Sequence, residues 1–347
     1  HANCTSESIT AAATAPAHPT AYPDVPFDQL CTGTTCTEKS PSFFTDGMLD
    51  TVTTKALISG AYQTVDVWTL SHSFPAPGDG SNAALWLTKV ARTGSAAGQT
   101  SITEPATVFS GVTMQNRVYV PNGTVPLDKW RISSIQTSLG GVISVNYSAQ
   151  QCTSAGAAAI EASPWSNTNW CFPAWWTPGV LGAQTPREDL FHKYVVTSTV
   201  TDPKTGGGLD QPQETDYVYG TPRWRYDTSP FTPDAQRTWN QYAGVDTLEI
   251  RVGSHAAPSA QQVTDDTFYQ GMDGDRAGAS GGSKTVNVAG TSIPDARWFA
   301  GQVYEEKTLL GVGGAVLSDT VNTPWAGSVT ANNGTSTARM TGVQDTV

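Results

Sequence analysis

The stretch from Leu190 to Tyr226 constrains the fold more than any other part of the chain. It contains two runs in which β-branched and aromatic residues alternate with other residues, and an Asp-Pro step followed by the glycines at 206–208 separates the runs. Alternation with a period of two is typical of β-strands, and Pro and Gly between two such runs mark a turn. The stretch therefore predicts a β-hairpin. Its alternation places four aromatic side chains along one face: Tyr217, Tyr219, Trp224 and Tyr226.

Similar strand-length runs, separated by turns rich in Gly, Asn and Pro, occupy most of the chain after Thr51. Short connections between such runs favour antiparallel neighbours. We therefore predict an all-β fold, an antiparallel sheet meander of hairpins, with a strand at Lys284–Val288 and a short helical turn near Pro233–Tyr242. The predicted parts are an extended Pro-rich lead-in at 1–50, an antiparallel β module at 51–151, a Trp-rich disulfide loop at 152–186 and a β-hairpin module at 187–347.

The five cysteines predict disulfides rather than a metal site. Cys31 and Cys36 are close together and Cys152 and Cys171 are farther apart, whereas a zinc cluster normally shows two close pairs. We expect the bonds Cys31–Cys36 and Cys152–Cys171, which leaves Cys4 to pair with a segment before His1. Disulfides persist in oxidising compartments, so we expect a secreted or cell-surface protein.

Charge and hydropathy exclude two classes of partner. Lys and Arg total 19 against 30 Asp and Glu, a net charge of −11, and no basic run lies beside aromatic residues. This charge argues against nucleic acid as a partner. No apolar run approaches the ~20 residues of a membrane-spanning helix, so we expect no membrane span.

Clustered tryptophans interrupt the strand pattern between Cys152 and Pro186. Such a cluster can form a platform on which sugars stack, but it more often plugs the open end of a sheet or barrel, and we favour the plug because each ring buries a large apolar area. The candidate glycan-binding residues are Trp165, Trp170, Trp175 and Trp176.

Other motifs lack the context that their chemistry needs. The string around Ser280 matches G-x-S-x-G, but a nucleophile elbow requires a strand before it and a helix after it. Glu305 and Glu306, like Asp265 and Asp266, are adjacent in predicted strands and point to opposite faces, so neither pair can flank one glycosidic bond.

Two kinds of metal site are conceivable from the sequence: calcium at Asp residues in predicted turns, and copper at the first residue, His1. Asp79, Asp273 and Asp275 have carboxylates suited to calcium, yet no EF-hand pattern follows them. Turn formation alone is sufficient to explain these Asp residues, which stand beside glycines. An amino-terminal His1 offers an amine and a ring to copper, but nothing around the other histidines resembles a copper enzyme. We predict no catalytic residue, no metal and no cofactor.

Several short motifs resemble one protein family. They are the phrase Phe191–Val200, the Tyr-x-Tyr and Trp-x-Tyr-Asp steps that end at Asp227, Thr238–Gly244, Tyr269–Arg276, Tyr22–Asp28, Phe74–Leu87, Val142–Cys152 and Pro294–Pro324. Together they resemble the secreted bacterial Rhs/YD-repeat proteins, the teneurin-like shells of polymorphic toxins, although the regular YD repeat is present only in degenerate form.

The resemblance implies a curved YD-repeat-type shell that encloses a C-terminal effector or toxin of the same polypeptide. On this basis we expect a non-enzymatic structural segment whose partners are the remainder of its own longer chain and the encapsulated domain. The alternative is a secreted carbohydrate-binding or carbohydrate-active β-protein, with a glycan as partner.

Overall fold

The computed structural model describes residues 24–25, 47–96, 99–118, 123–178, 185–207, 211–332, 334 and 337–346. His1, Cys4, Cys31 and Cys36 lie outside these residues, so the Cys31–Cys36 bond stays a prediction, and the copper alternative at His1 is not tested. No helix in the described part of the chain is both long and apolar enough to cross a membrane.

The described residues form two compact units. The first contains the chain from residue 47 to Met114, the segment Leu127–Ser144 and the loop that begins at Pro203. The second contains the segment Gln115–Pro126, the segment Val145–Asp202 and the chain from Gln211 onward.

Antiparallel strands make up the first unit, in the order β1-β2-β3-β5-β6-β7 with β4 beside β3. The strands are β1 Thr51–Ile58, β2 Ala61–Ser73, β3 Trp86–Gly94, β4 Ile102–Thr103, β5 Thr107–Gln115, β6 Asp128–Gln136 and β7 Val142–Tyr147, whose last residues belong to the second unit. Ser59 and Gly60 connect β1 to β2 with positive φ angles of 51° and 82°. A two-residue loop with both φ angles positive matches the twist of antiparallel strands, which explains this tight hairpin.

The main sheet of the second unit is also an antiparallel meander, with the strand order β7-β10-β11-β14-β15-β18-β19-β20. Its elements are helix α1 Ser154–Ala162 and strands β8 Cys171–Trp176, β9 Arg187–His192, β10 Val196–Asp202, β11 Gln213–Tyr219, β12 Pro222–Arg225, β13 Gln241–Val245, β14 Thr247–Val252, β15 Gln262–Phe268, β16 Arg276–Gly278, β17 Gly281–Ser283, β18 Val303–Leu310, β19 Val316–Asn332 and β20 Thr337–Thr346. The pairs β8–β9, β12–β13 and β16–β17 leave the meander as separate two-stranded sheets. We call these three pairs the excursions.

The all-β class and the antiparallel meander are confirmed. The predicted hairpin is also present, since Ser198 pairs with Asp216 and Thr201 with Gln213 across β10 and β11. The prediction that the aromatic face continues from Tyr219 to Trp224 is wrong, because the sheet strand ends at Tyr219 and Trp224 lies in the excursion strand β12, opposite Tyr242.

A hydrogen bond and a glycine explain this break. The backbone N–H of Thr221 donates to Oδ1 of Asp246 at 2.6 Å, which turns the chain away from the sheet. A Cβ atom at Gly220 would lie only 2.2 Å from the same oxygen, so the turn requires glycine there.

Two further local predictions are wrong. The segment 152–186, predicted as a Trp-rich loop, contains α1 and β8, because its alanines favour a helix and Cys171 begins a strand that pairs with β9. The predicted strand at Lys284–Val288 is instead an extended segment held by backbone hydrogen bonds to Asp275 and Asp295, followed by a 3₁₀ turn at Val288–Gly290.

The main hydrophobic cluster of the second unit surrounds the predicted disulfide. Cys152 and Cys171 are bonded, with their Cα atoms 6.3 Å apart. Ala157 and Ile160, three residues apart on one face of α1, pack into this cluster with Val118 and Leu190. The disulfide therefore fastens the helix to the first excursion.

The first unit differs sharply in its burial. Apart from Pro77, none of its described residues is fully buried, and its apolar strand residues are half-buried or exposed. All the buried hydrophobic residues of the core lie in the second unit.

Candidate functional site

A cavity of about 640 Å³ in the second unit is lined by the chain after α1, by β12, by the start of β14 and the end of β15, and by the segments that follow β15 and β17. This volume lies within the range of sites for small molecules. Trp165 and Trp224 supply aromatic walls, and Arg223, Asp246 and Asn287 supply polar groups. We call this the tryptophan cavity.

Neighbouring rings hold Trp224 in place. The side chain is 2% exposed, its Nε1–H donates to the carbonyl of Asn169 at 3.0 Å, and its ring stacks on Phe172 with centroids 4.4 Å apart. Tyr242, opposite it on β13, packs at 5.3 Å. Trp224 thus joins the first excursion to the second, and aromatic pairs of this kind stabilise by ~0.5–1.5 kcal/mol beyond area burial.

Trp165 reaches the cavity from the 3₁₀ turn Pro164–Ser166 that follows α1. Its ring meets the edge of Trp239 at 5.7 Å, and Trp239 donates from Nε1 to the carbonyl of Arg276 in the third excursion. Trp165 is half-buried, so part of its ring is accessible.

The side chains of Asp295 and Gln270, two of the polar groups around the cavity, form hydrogen bonds with backbone groups. Asp295, 3% exposed, accepts the N–H groups of Gly271 and Met272 at 2.8 and 2.9 Å. Gln270 donates to the carbonyls of Thr221 and Gly244. These contacts connect the segment after β15 to the second excursion and to the segment before β18, and they leave few polar atoms for a ligand.

Arg223 is different, because it lines the cavity and forms no ion pair or hydrogen bond with another described side chain. It lies between two buried residues of β12, Pro222 and Trp224, and is itself half-buried. The tryptophan cavity therefore offers one aromatic face and one guanidinium to a ligand.

The four predicted tryptophans do not form a common platform. Trp165 lines the tryptophan cavity, whereas Trp170 packs between Tyr219 and Tyr242 at 5.7 and 6.2 Å. Trp175 is half-buried in β8 opposite Glu188. Trp176 packs on Phe191 and donates from Nε1 to Asp189 at 2.7 Å.

Sequence reasoning missed Trp224 as a wall of this cavity and Trp239 as the ring that packs against Trp165. Trp224 was assigned to a continuous strand face, and Trp239 lies in a segment without a periodic pattern. The usable signal was the Pro-Arg-Trp step directly after Gly220, since Pro at the start of a strand is typical of an edge or a new strand.

The other candidate residues lie apart from the cavity. Ser280 is exposed in the two-residue turn between β16 and β17. Asp79 accepts hydrogen bonds from Ser81 and from the backbone N–H of Asp128, and Asp273 accepts one from Val286, as turn residues do. No group of three or more His, Cys, Asp or Glu side chains in the described residues is placed to hold a metal ion.

Comparison with known proteins finds few similar to this chain. No family model matches it, and no curated protein matches it. Among solved structures, one titled "Crystal Structure of TcdB2-TccC3" is similar at 11% identity with a TM-score of 0.33. The match covers 80% of this chain and 17% of that chain, so the chain spans under a fifth of its length.

Proposed function

We propose that the chain is a non-enzymatic structural segment of a larger secreted or cell-surface shell of the Rhs/YD-repeat kind, which encloses a C-terminal effector or toxin of the same polypeptide. The observation that carries this proposal is the burial pattern of the first unit. A β-sheet is stable when at least one face is buried against another layer. None of the described strands of the first unit has a fully buried residue.

Exposed apolar side chains on these strands strengthen the argument. Leu57 is 62% exposed and Tyr62, opposite it across the first hairpin, is 74% exposed. Contiguous apolar surface of this kind marks contact with another protein surface. In the proposed shell, further strands and the enclosed domain cover it, and the motifs resembling YD-repeat proteins support this assignment.

The proposal is tested on the natural full-length polypeptide by limited proteolysis. We expect its C-terminal domain to resist a nonspecific protease, and Val90→Asp in β3 to abolish that protection by opening the sheet. Leu139→Asp, at a turn position that is 94% exposed, is the matched control and should keep the protection. A reading frame without a further domain, or equal digestion of the C-terminal domain with and without Val90→Asp, would contradict the proposal.

The absence of catalysis is part of the proposal. A screen for glycosidase, esterase, peptidase and copper-dependent oxidase activity should show no turnover. Reproducible turnover that is lost on changing His1, Ser280, Glu305 or Glu306 would replace the structural function with an enzymatic one.

One observation favours carbohydrate binding as a second candidate function. Trp165 and Arg223 both face the tryptophan cavity, and an accessible indole beside a polar donor is suited to a sugar ring. A glycan array should then show binding that Trp165→Ala removes. Trp175→Ala, which changes a half-buried tryptophan outside the cavity lining, is the control.

A further inference from the structure

A smaller cavity of about 260 Å³ in the second unit gathers positive charge in an otherwise acidic protein. Three guanidinium groups line it, from Arg225, Arg276 and Arg297, beside the carboxylates of Asp273 and Asp275. The whole chain carries a net charge of −11, so a general excess of basic residues does not account for this grouping.

The two carboxylates are occupied by other partners. Asp275 accepts the backbone N–H of Tyr226 through Oδ1 and forms an ion pair with Lys284 through Oδ2 at 2.9 Å. Asp273 accepts the backbone N–H of Val286 through Oδ1. Among the described residues, neither carboxylate forms an ion pair with an arginine of the cavity.

Arg276 is also largely engaged. Its guanidinium donates to the carbonyls of Gly278 and Ala279 and lies over the ring of Tyr226 at 4.6 Å. Arg276 therefore forms a wall of the cavity, and its positive charge lies close to any anion bound there.

Arg225 and Arg297 keep donors that no described residue uses. Arg225 donates from Nη1 to the carbonyl of Gln270 at 3.1 Å, while its Nε is buried and has no hydrogen-bond partner in the described chain. Arg297, from the 3₁₀ turn Arg297–Phe299, donates from Nη2 to the hydroxyl of Thr228 at 3.1 Å. Burial, and next the charge of Arg297, lower the pKa of Arg225.

A glycine brings these two arginines together. Gly271 has φ of +70°, and a Cβ atom there would lie 2.7 Å from Nη1 of Arg225 and 2.9 Å from Cα of Arg297. Any side chain at this position would displace the guanidinium of Arg225. Asp275 and Asp295 offset part of the repulsion between these two like charges, and an anion bound between the guanidinium groups would offset more of it.

We propose that this cavity binds a small oxyanion, a phosphate, sulfate or carboxylate group, between the guanidinium groups of Arg225 and Arg297. The planar fork of a guanidinium matches two oxygens of such groups, and a buried unpaired donor is satisfied when the anion accepts from it. The site is separate from the tryptophan cavity and does not depend on the proposed shell function.

The test uses the whole chain with inorganic phosphate, sulfate and acetate as probes, in matched ionic strength set with sodium chloride. We expect at least one of the three to raise the melting temperature saturably and to give a measurable Kd by calorimetry. Preference for phosphate and sulfate identifies a tetrahedral group, and preference for acetate identifies a carboxylate.

Arg297→Gln should raise the Kd of the preferred anion by about tenfold or more, equivalent to ~1.4 kcal/mol. This residue is exposed, so the variant is expected to fold. Arg297→Lys, which keeps the charge without the fork, should bind with intermediate affinity, and Arg223→Gln in the other cavity should bind like the unchanged protein. The proposal is overturned if none of the three anions binds saturably, or if Arg297→Gln and Arg223→Gln bind the anion equally well.

Discussion

Asp266 on β15 lies directly opposite Glu306 on β18, in the sheet of the second unit. Adjacent carboxylates along one strand point to opposite faces, and the sheet register instead places one from each strand side by side. Burial raises the pKa of Asp266, and Glu306 raises it further. Oδ1 of Asp266 is buried and has no hydrogen-bond partner among the described residues.

This pair predicts a pH-dependent stability. A carboxyl whose pKa is higher in the folded than in the unfolded protein holds its proton more tightly when folded. Its stabilising effect is therefore complete below the ordinary Asp value of 3.8 and is lost as the pH rises through the raised pKa. Asp266→Asn should raise the free energy of unfolding at neutral pH by ~0.2–1 kcal/mol, measured by urea titration.

The same substitution should have no such benefit at a pH well below 3.8, where both forms are neutral. Glu306→Gln should have the same effect on the free energy of unfolding. In the double variant this free energy should rise by less than the sum of the two single effects. A loss of stability for Asp266→Asn at neutral pH would show that the carboxylate is needed by a partner.

The Cys152–Cys171 disulfide should contribute strongly to stability. It closes a loop over a sequence separation of 19 residues, and the chain-entropy relation gives ~3 kcal/mol for a loop of this size. Replacing both cysteines with serine should lower the free energy of unfolding by about that amount. Non-reducing peptide mapping should recover the pair, and free alkylation of both thiols in native protein would contradict both the bond and the secreted location.

Asp189 should be far more important to stability than an exposed carboxylate. It accepts from Trp176 at 2.7 Å and from Arg187 at 2.9 Å, and it lies 3.5 Å from Nη1 of Arg117, whose side chain is completely buried. Asp189→Ala should lower the free energy of unfolding by ~3–5 kcal/mol, because it leaves a buried charge uncompensated.

Asp234 supplies the matched control, since it pairs with Arg237 at 2.7 Å but is 90% exposed. Asp234→Ala should cost no more than ~1 kcal/mol. Equal costs for the two variants in chemical denaturation would mean that the network around Arg117 rearranges when Asp189 is lost.

The outer hairpin of the first unit should drive self-association of the isolated chain. β1 pairs with β2 alone among the described strands, so one of its edges has no strand beside it. Sedimentation velocity should show association that rises with concentration, and Leu57→Lys should weaken it, because a lysine on an edge strand opposes pairing. Leu139→Lys, in a turn, should leave it unchanged, and a strictly monomeric unmodified chain would argue against an incomplete sheet.

Local patterns accounted for the class of fold and for part of its detail. The hairpin of β10 and β11 follows from alternation on both sides of a Gly-rich turn, and the Cys152–Cys171 bond follows from cysteine count and spacing. The helix Ser154–Ala162 was missed because it is short and the surrounding tryptophans and prolines mask its pattern. The strand predicted at Lys284–Val288 was wrong because hydrogen bonds to distant turns hold that segment.

The sequence by itself therefore determined that this chain forms antiparallel strands closed by short turns and one disulfide, since a period of two and the turn residues act over a few positions. Only the tertiary structure decided which side chains meet. Trp165 faces the same cavity as Trp224, and Arg225 lines another with Arg297, because the fold brings together segments that lie far apart in the chain. Sheet register likewise set Asp266 against Glu306, and a shift of one residue would have placed them on opposite faces.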